Sequence, residues 1–256
     1  MNLLQRACGL SLLCSSLLAT SSHAEPAGFT PKASLDSLFE LEGNTPFSSP
    51  YDGTLTFSAL TSKFATAHGH GYRNELKIAT RNRHTIEQTR EHFSAVVTPT
   101  LPNGAKTIVS QYHVDGLDTI VKVYVQDTLD AEALDGKAGD GVFDIVAKIK
   151  DTSGKDAETA LGTIRSGESF ALDIRFDNGI ATVSAKTAAN GARQTQPTRI
   201  KGDNRNIYFK FGDYFQAEDP VTHALTWDTA KWDEYFRQHH MQQDQVRFDH
   251  VNFVRG

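Results

Sequence analysis

Residues that cross-link chains or bind soft metals are scarce in this sequence. Of 256 residues, two are cysteine, two methionine and two tryptophan. Both cysteines, Cys8 and Cys14, fall within the first 24 residues. The rest of the chain therefore has no disulfide, no thiol nucleophile and no thiolate metal site. Long apolar runs are missing too. The run from Ala7 to about Thr20 is too short to span a bilayer. It follows Arg6 and precedes Ser22-His23-Ala24, the pattern of a secretory signal with a small-residue cleavage site. Leu13 before Cys14 does not suit a lipoprotein signal. Cleavage after Ala24 leaves residues 25–256, which is 256 − 24 = 232 residues, and predicts a periplasmic or secreted protein without a membrane anchor.

Positive charge is also in deficit. The chain has 26 Lys and Arg against 31 Asp and Glu, and losing Arg6 with the leader gives 25 − 31 = −6. Such a chain is a poor general ligand for nucleic acid or anionic membranes. If it binds a polyanion, its positive charge must be concentrated in a cleft. Nucleophile-elbow serines are absent, as is the Glu-x-Asp-x-x-Glu pairing that retaining glucanases of similar fold need. There is no internal repeat, low-complexity segment or domain-separating linker.

Short alternating segments make up most of the sequence. "GTLTFSAL", "HFSAVVTPTL", "KTIVSQYHV", "TIVKVYVQD", "GVFDIVAKIK", "SFALDIRFDN", "IATVSAKT" and "IYFKFGDYFQ" read as strands. Asn178-Gly179 and Asn103-Gly104 each sit between two such runs and predict hairpins. Regular short strands with turn signals imply an all-β sandwich or jelly roll, here one domain over 25–256. Two helices are predicted, over "SLDSLFELE" and over "WDTAKWDEYFRQHHMQQ" with Asp228 as N-cap.

Three strands carry polar residues where a solvated face would not need them. Period-2 alternation places Arg73, Glu75 and Lys77 on one face of "YRNELK", and Gln111 with His113 on one face of "SQYHV". In "YFKFGDYFQ" it separates Tyr208, Lys210, Gly212, Tyr214 and Gln216 from Phe209, Phe211, Asp213 and Phe215. Together the polar sets supply guanidinium, amide, imidazole, ammonium and phenol. These suit recognition of a carboxylated sugar and movement of a proton. Lys122 and Tyr124, co-facial on the next strand, could extend such a surface.

These stretches resemble the three motifs of polysaccharide lyase family seven, the alginate lyases. The family's Arg-(Ser/Thr)-Glu-Leu-Arg, Gln-(Ile/Val)-His and Tyr-Phe-Lys-Ala-Gly-Val-Tyr-Asn-Gln stand here, in that order, as "RNELK", "QYH" and "YFKFGDYFQ". The resemblance runs roughly from Leu55 to Gln216. It implies a β-jelly roll with a groove on one sheet, cutting a polyuronate by β-elimination without metal or other cofactor. Arg73 and Gln111 would neutralise the uronate carboxylate. His113 would act as base or charge-neutralising residue, and Tyr214 as acid. Tyr214 would also be the base where proton and leaving group lie on one side of the ring. Glu75, Lys77, Lys122, Tyr124, Tyr208, Lys210 and Gln216 would contact substrate, and Gly212 would give the polymer room to approach the backbone. The expected partner is alginate or a related anionic polysaccharide, bound by a monomer.

The chain departs from the family pattern at Lys77, Asn74 and Tyr112, and on the back face at Phe211, Asp213 and Phe215. Residues 217–243 form an apparent helical insertion before the last strand. Two other readings stand beside alginate lysis: a lyase for another polyuronate such as glucuronan, and a non-catalytic carbohydrate-binding jelly roll. The His68, His70 pair is read as a substrate-facing loop rather than a metal pair. "DGKAGDG" at 135–141 is read as a turn, since it lacks the spacing and closing Glu of a calcium loop.

Overall fold

The computed structural model describes residues 28–129 and 134–256. The leader, including Ala24, lies outside the described residues. In chain order the strands are β1 (Phe39–Glu42), β2 (Leu55–Phe57), β3 (Gly71–Ile78), β4 (His84–Thr85), β5 (Arg90–Thr100), β6 (Lys106–Val114), β7 (Thr119–Gln126) and β8 (Val142–Lys150). They continue with β9 (Asp156–Arg165), β10 (Phe170–Asp177), β11 (Ile180–Thr187), β12 (Gly191–Gln194), β13 (Thr198–Arg199), β14 (Asn206–Gln216) and β15 (Gln245–Arg255). The helices are α1 (Lys32–Leu38), α2 (Ala59–Ser62) and α3 (Thr229–Gln238).

The strands form two antiparallel sheets of a jelly-roll sandwich. One has eight strands in the order β1-β3-β14-β6-β7-β8-β9, with β4 beside β14. The other has seven in the order β12-β11-β10-β5-β15-β2, with β13 beside β11. The core between them is aromatic. Phe209 and Phe211 of β14 meet Phe93, Phe248 and Phe253 across the sandwich, and Tyr112 of β6 meets Phe176 of β10. The β14 alternation drives this packing: its phenylalanines face inward, so its polar set faces the outside of the eight-stranded sheet. Asp213 also points inward. It accepts from Thr107 Oγ1 at 2.6 Å and from Ala59 N at 3.0 Å, at the start of α2. Burial, with Asp244 beside it, raises its carboxyl well above the usual range.

The two Asn-Gly turns behave differently. Asn178 and Gly179 both have positive φ, 47° and 77°, and close the β10–β11 hairpin as a primed turn should. Asn103-Gly104 does not close a hairpin: β5 belongs to one sheet and β6 to the other. Only Gly104 takes positive φ there. Its N–H donates to Asp127 at 2.9 Å, and Leu101 and Ala105 on either side are buried in the core, so the chain crosses between sheets. The first predicted helix is half strand, because α1 stops at Leu38 and "FELE" pairs with β3. α3 begins at its predicted cap, with Asp228 accepting from Ala230 N at 2.9 Å. Trp232 and Phe236 bury it against the core. Among the described residues no helix is long and apolar enough to cross a membrane.

Candidate active site

β3, β14 and β6 lie side by side, and their register assembles the polar sets. Arg73 pairs with Tyr214, Glu75 with Gly212, Lys77 with Lys210, Lys210 with Gln111, and Tyr208 with His113. Above them runs a groove of about 670 Å³ lined by Arg73, Gln111, His113, Lys122, Tyr124, Tyr214 and Gln216, among others. Segment 217–228 and α3 contribute Ala217, Glu218, Leu225 and Tyr235 to its wall.

Arg73 lies flat on the Tyr214 ring, its Cζ 3.6 Å from the centroid. The same ring packs on Ile108, Tyr124 and Val146, a small apolar cluster separate from the main core. The phenol oxygen accepts the backbone N–H of His70 at 2.7 Å. A backbone donor on its oxygen and a guanidinium on its ring fix Tyr214 from two sides. His70 is itself fixed, with Nδ1 3.2 Å from the Thr226 carbonyl oxygen, which also accepts Trp232 Nε1–H at 3.0 Å. The insertion therefore reaches Tyr214 through one residue.

His113 Nδ1 lies 2.8 Å from the carbonyl oxygen of Val114. A carbonyl only accepts, so Nδ1 carries the proton and Nε2 keeps its lone pair. Burial, with Lys210 and Arg73 nearby, holds the imidazole below the usual histidine range. Its ring stacks on Tyr208, centroids 5.4 Å apart and planes 4° apart, and Arg83 covers Tyr208 at 3.8 Å.

Beneath the groove floor runs a chain of ion pairs. Glu75 is fully buried. It accepts from Gln111 Nε2 at 2.6 Å and from Arg73 Nη1 at 3.3 Å, with Lys210 Nζ at 3.8 Å. Glu42 joins Lys210 at 2.8 Å and Lys77 at 2.7 Å. Burial alone would raise Glu42, but the two ammonium groups outweigh it and hold the carboxyl down to about 2. Glu75 uses one amide hydrogen of Gln111 and leaves the second for a ligand.

A model of the alginate lyase family matches residues 28–252. The chain belongs to the alginate lyase family. Among solved structures it is similar to the alginate lyase from Alteromonas sp. 272, at 32% identity and a TM-score of 0.79 over 89% of this chain and 99% of the other. It is also similar to the polysaccharide lyase family 18 enzyme aly-SJ02, at 33% identity and 0.78 over 87% and 96%. The family-seven alginate lyase A1-II' shares the fold at 20% identity and 0.56 over 87% and 96%. No curated protein matches the chain.

Within this alginate lyase fold the sequence-predicted residues separate by depth. Arg73, Gln111, His113, Lys122, Tyr124, Tyr214 and Gln216 reach the groove. Glu75 and Lys210, 0% and 2% exposed, lie under it in ion pairs, Lys77 is tied to Glu42 and Glu40, and Tyr208 sits behind His113. Burial, reinforced by Lys150 and Lys148, shifts the Lys122 ammonium down despite Asp156 and Asp118. Gly212 has a different reason from the one its position suggests. A Cβ there, at φ +147°, would collide with the Asn74 carbonyl oxygen and lie 2.7 Å from Glu75 Cα. The glycine lets β3 and β14 approach each other and makes no space for polymer. Two contributors escaped the sequence reading. Glu42 was masked by the helical reading of "SLDSLFELE". His70 acts through its backbone N–H, which no side-chain pattern signals. Among the described residues no group of three or more His, Cys, Asp or Glu could hold a metal. His68 and His70 instead flank Trp227, with ring centroids at 5.1 and 6.4 Å.

Proposed function

We propose that this alginate lyase cleaves the 1,4-glycosidic bond of alginate by β-elimination at the floor of the groove. Arg73 and the free amide hydrogen of Gln111 bind the uronate carboxylate and neutralise its charge. That lowers the energy of the enolate-like state formed when C5 loses its proton, an electrostatic contribution of about 3–4 kcal/mol per donor in oxyanion-hole systems. His113 Nε2 takes the C5 proton where it lies opposite the departing O4; Tyr214 takes it where both lie on one side. The C5–H electron pair becomes the C4=C5 double bond, the C4–O4 bond breaks, and O4 leaves with a proton from Tyr214. The products are a new chain end and a 4,5-unsaturated uronate.

The observation carrying this reading is the environment of Tyr214. Its oxygen meets a backbone N–H, its ring a guanidinium, and the groove it lines also holds a histidine with a free Nε2 lone pair. A surface that only bound sugar would need no such poise. Glu75, Lys210 and Lys77 serve as positioning residues, fixing Arg73 and Gln111 from below. The chain acts as a monomeric, secreted or periplasmic domain over 25–256, with no membrane anchor, and the 217–243 insertion walls the groove. The test is digestion of polymannuronate, polyguluronate and polyglucuronate, following the ultraviolet absorbance of unsaturated ends. Turnover of polyglucuronate alone would reassign the polymer, and binding without turnover would leave only a carbohydrate-binding module.

A further inference from the structure

A second polar cluster lies at the end of the same sheet, where β7 turns back to β8. Gln126, the last residue of β7, pairs with Asp144 of β8. Two residues earlier on that face Tyr124 pairs with Val146, and both belong to the apolar cluster around Tyr214. Alternation therefore turns Gln126 and Asp144 to the groove side, next to each other. Both are 0% exposed.

Their polar atoms are not satisfied. Among the described residues, neither Oε1 nor Nε2 of Gln126 has a hydrogen-bond partner. Asp144 Oδ1 accepts Leu134 N–H at 2.7 Å, but its Oδ2 accepts nothing. The next residue, Asp135, has a buried Oδ2 with no partner, while its other oxygen accepts Lys137 N–H at 3.1 Å. Buried polar groups in folded proteins are almost always paired. One oxygen of each carboxylate and the amide oxygen of Gln126 remain unpartnered, and an oxygen-binding cation would satisfy all three.

We propose that Asp135, Asp144 and Gln126 form a calcium site that ties segment 134–141 to the end of β7 and the start of β8. The donors are all hard oxygens, with no imidazole or thiolate, which disfavours zinc and copper. Carboxylates mixed with a neutral oxygen in irregular geometry suit calcium, and magnesium demands a near-octahedral shell and keeps its waters. Thr128 Oγ1, two residues past Gln126, is another buried oxygen without a partner. The turn is prepared on its other side. Asp127 accepts backbone N–H groups from Gly104, Gly139 and Gly141 at 2.9, 2.7 and 2.9 Å. Thr128 and Leu129 line the groove, so an ion here fixes one wall of the polymer site. The ligands come from a loop and two strand ends, which is why "DGKAGDG" lacks calcium-loop spacing.

The rival is a proton shared by Asp135 and Asp144. Calorimetric titration of the EGTA-stripped, dialysed protein with calcium chloride, paired with thermal melts, separates the two. No polymer is present, because a polycarboxylate binds calcium itself. The site predicts saturable one-site binding, a melting temperature that rises with calcium more than with magnesium, and affinity at least about tenfold weaker in Asp144→Asn, which removes a ligand charge. Should Asp144→Asn not fold, Asp135→Asn, at a less buried position, makes the comparison. Absence of saturable calcium binding by the wild type, or equal binding by the folded variant, overturns the proposal in favour of the shared proton.

Discussion

Replacing Tyr214 with Phe removes one oxygen and leaves the ring. The contacts of that ring with Ile108, Tyr124 and Val146, and the guanidinium 3.6 Å above it, remain. The loss in the folded state is the hydrogen bond from His70 N–H at 2.7 Å. An orphaned buried donor costs about 1–3 kcal/mol, and water entering the groove places this one near the lower end, at about 1 kcal/mol. The loss in the transition state is larger, because the variant cannot protonate O4. General acid–base groups contribute about 10²–10⁴-fold, which is roughly 3–5 kcal/mol of barrier. Binding of the polymer, which rests on Arg73, Gln111 and the groove walls, is retained. The expected result is a small fall in melting temperature, KM near wild type, and kcat lower by about 10²-fold or more. The assay is continuous ultraviolet absorbance on a defined oligouronate, with melts of both proteins. A variant that keeps kcat within about tenfold of wild type would refute the assignment, because general acid–base groups typically contribute about 10²-fold or more.

Burial and two nearby cations hold His113 below the usual histidine value of 6.5, so its neutral, proton-accepting form persists into mildly acidic solution. The acid limb of kcat/KM on a substrate that uses His113 as base should therefore fall below pH 6.5, and a limb at or above that value would contradict the role. Glu42, ordinarily 4.5 and here about 2, favours folding in its ionised form. Its contribution, about 3 kcal/mol by linkage, is present above pH 4.5 and is lost as pH falls through about 2. Glu42→Gln should lower the urea midpoint at pH 7 and flatten its acid dependence, and an unchanged midpoint would mean that Lys210 and Lys77 do not depend on it. Gly212→Ala places a Cβ against the β3 backbone at φ +147°, so soluble yield and melting temperature should drop sharply; a wild-type melt would show that the two strands can separate at no cost.

Much of the sandwich was legible because β14 states its two faces plainly: Phe209, Phe211 and Phe215 inward, Tyr208, Lys210, Tyr214 and Gln216 outward. The same alternation placed Gln111 with His113. Depth was not legible. Glu75 and Lys210 share a face with groove residues yet are buried, because Glu42 on the neighbouring strand and Gln111 across the sheet enclose them. Alternation names a face and says nothing about what covers it. The two Asn-Gly pairs make the same point for topology, since a local turn signal cannot tell whether the next strand stays in the sheet. His70 and Gly212 matter through backbone atoms, which a side-chain reading cannot see.

The central claim is that bonds break here by elimination, and the products of alginate digestion test it most directly. Mass spectrometry of oligomers released by the purified protein should show chains lighter by one water than hydrolytic products. Ultraviolet absorbance should rise in step with new reducing ends. Saturated oligomers of full hydrolytic mass, or no cleavage of any polyuronate, would contradict the account.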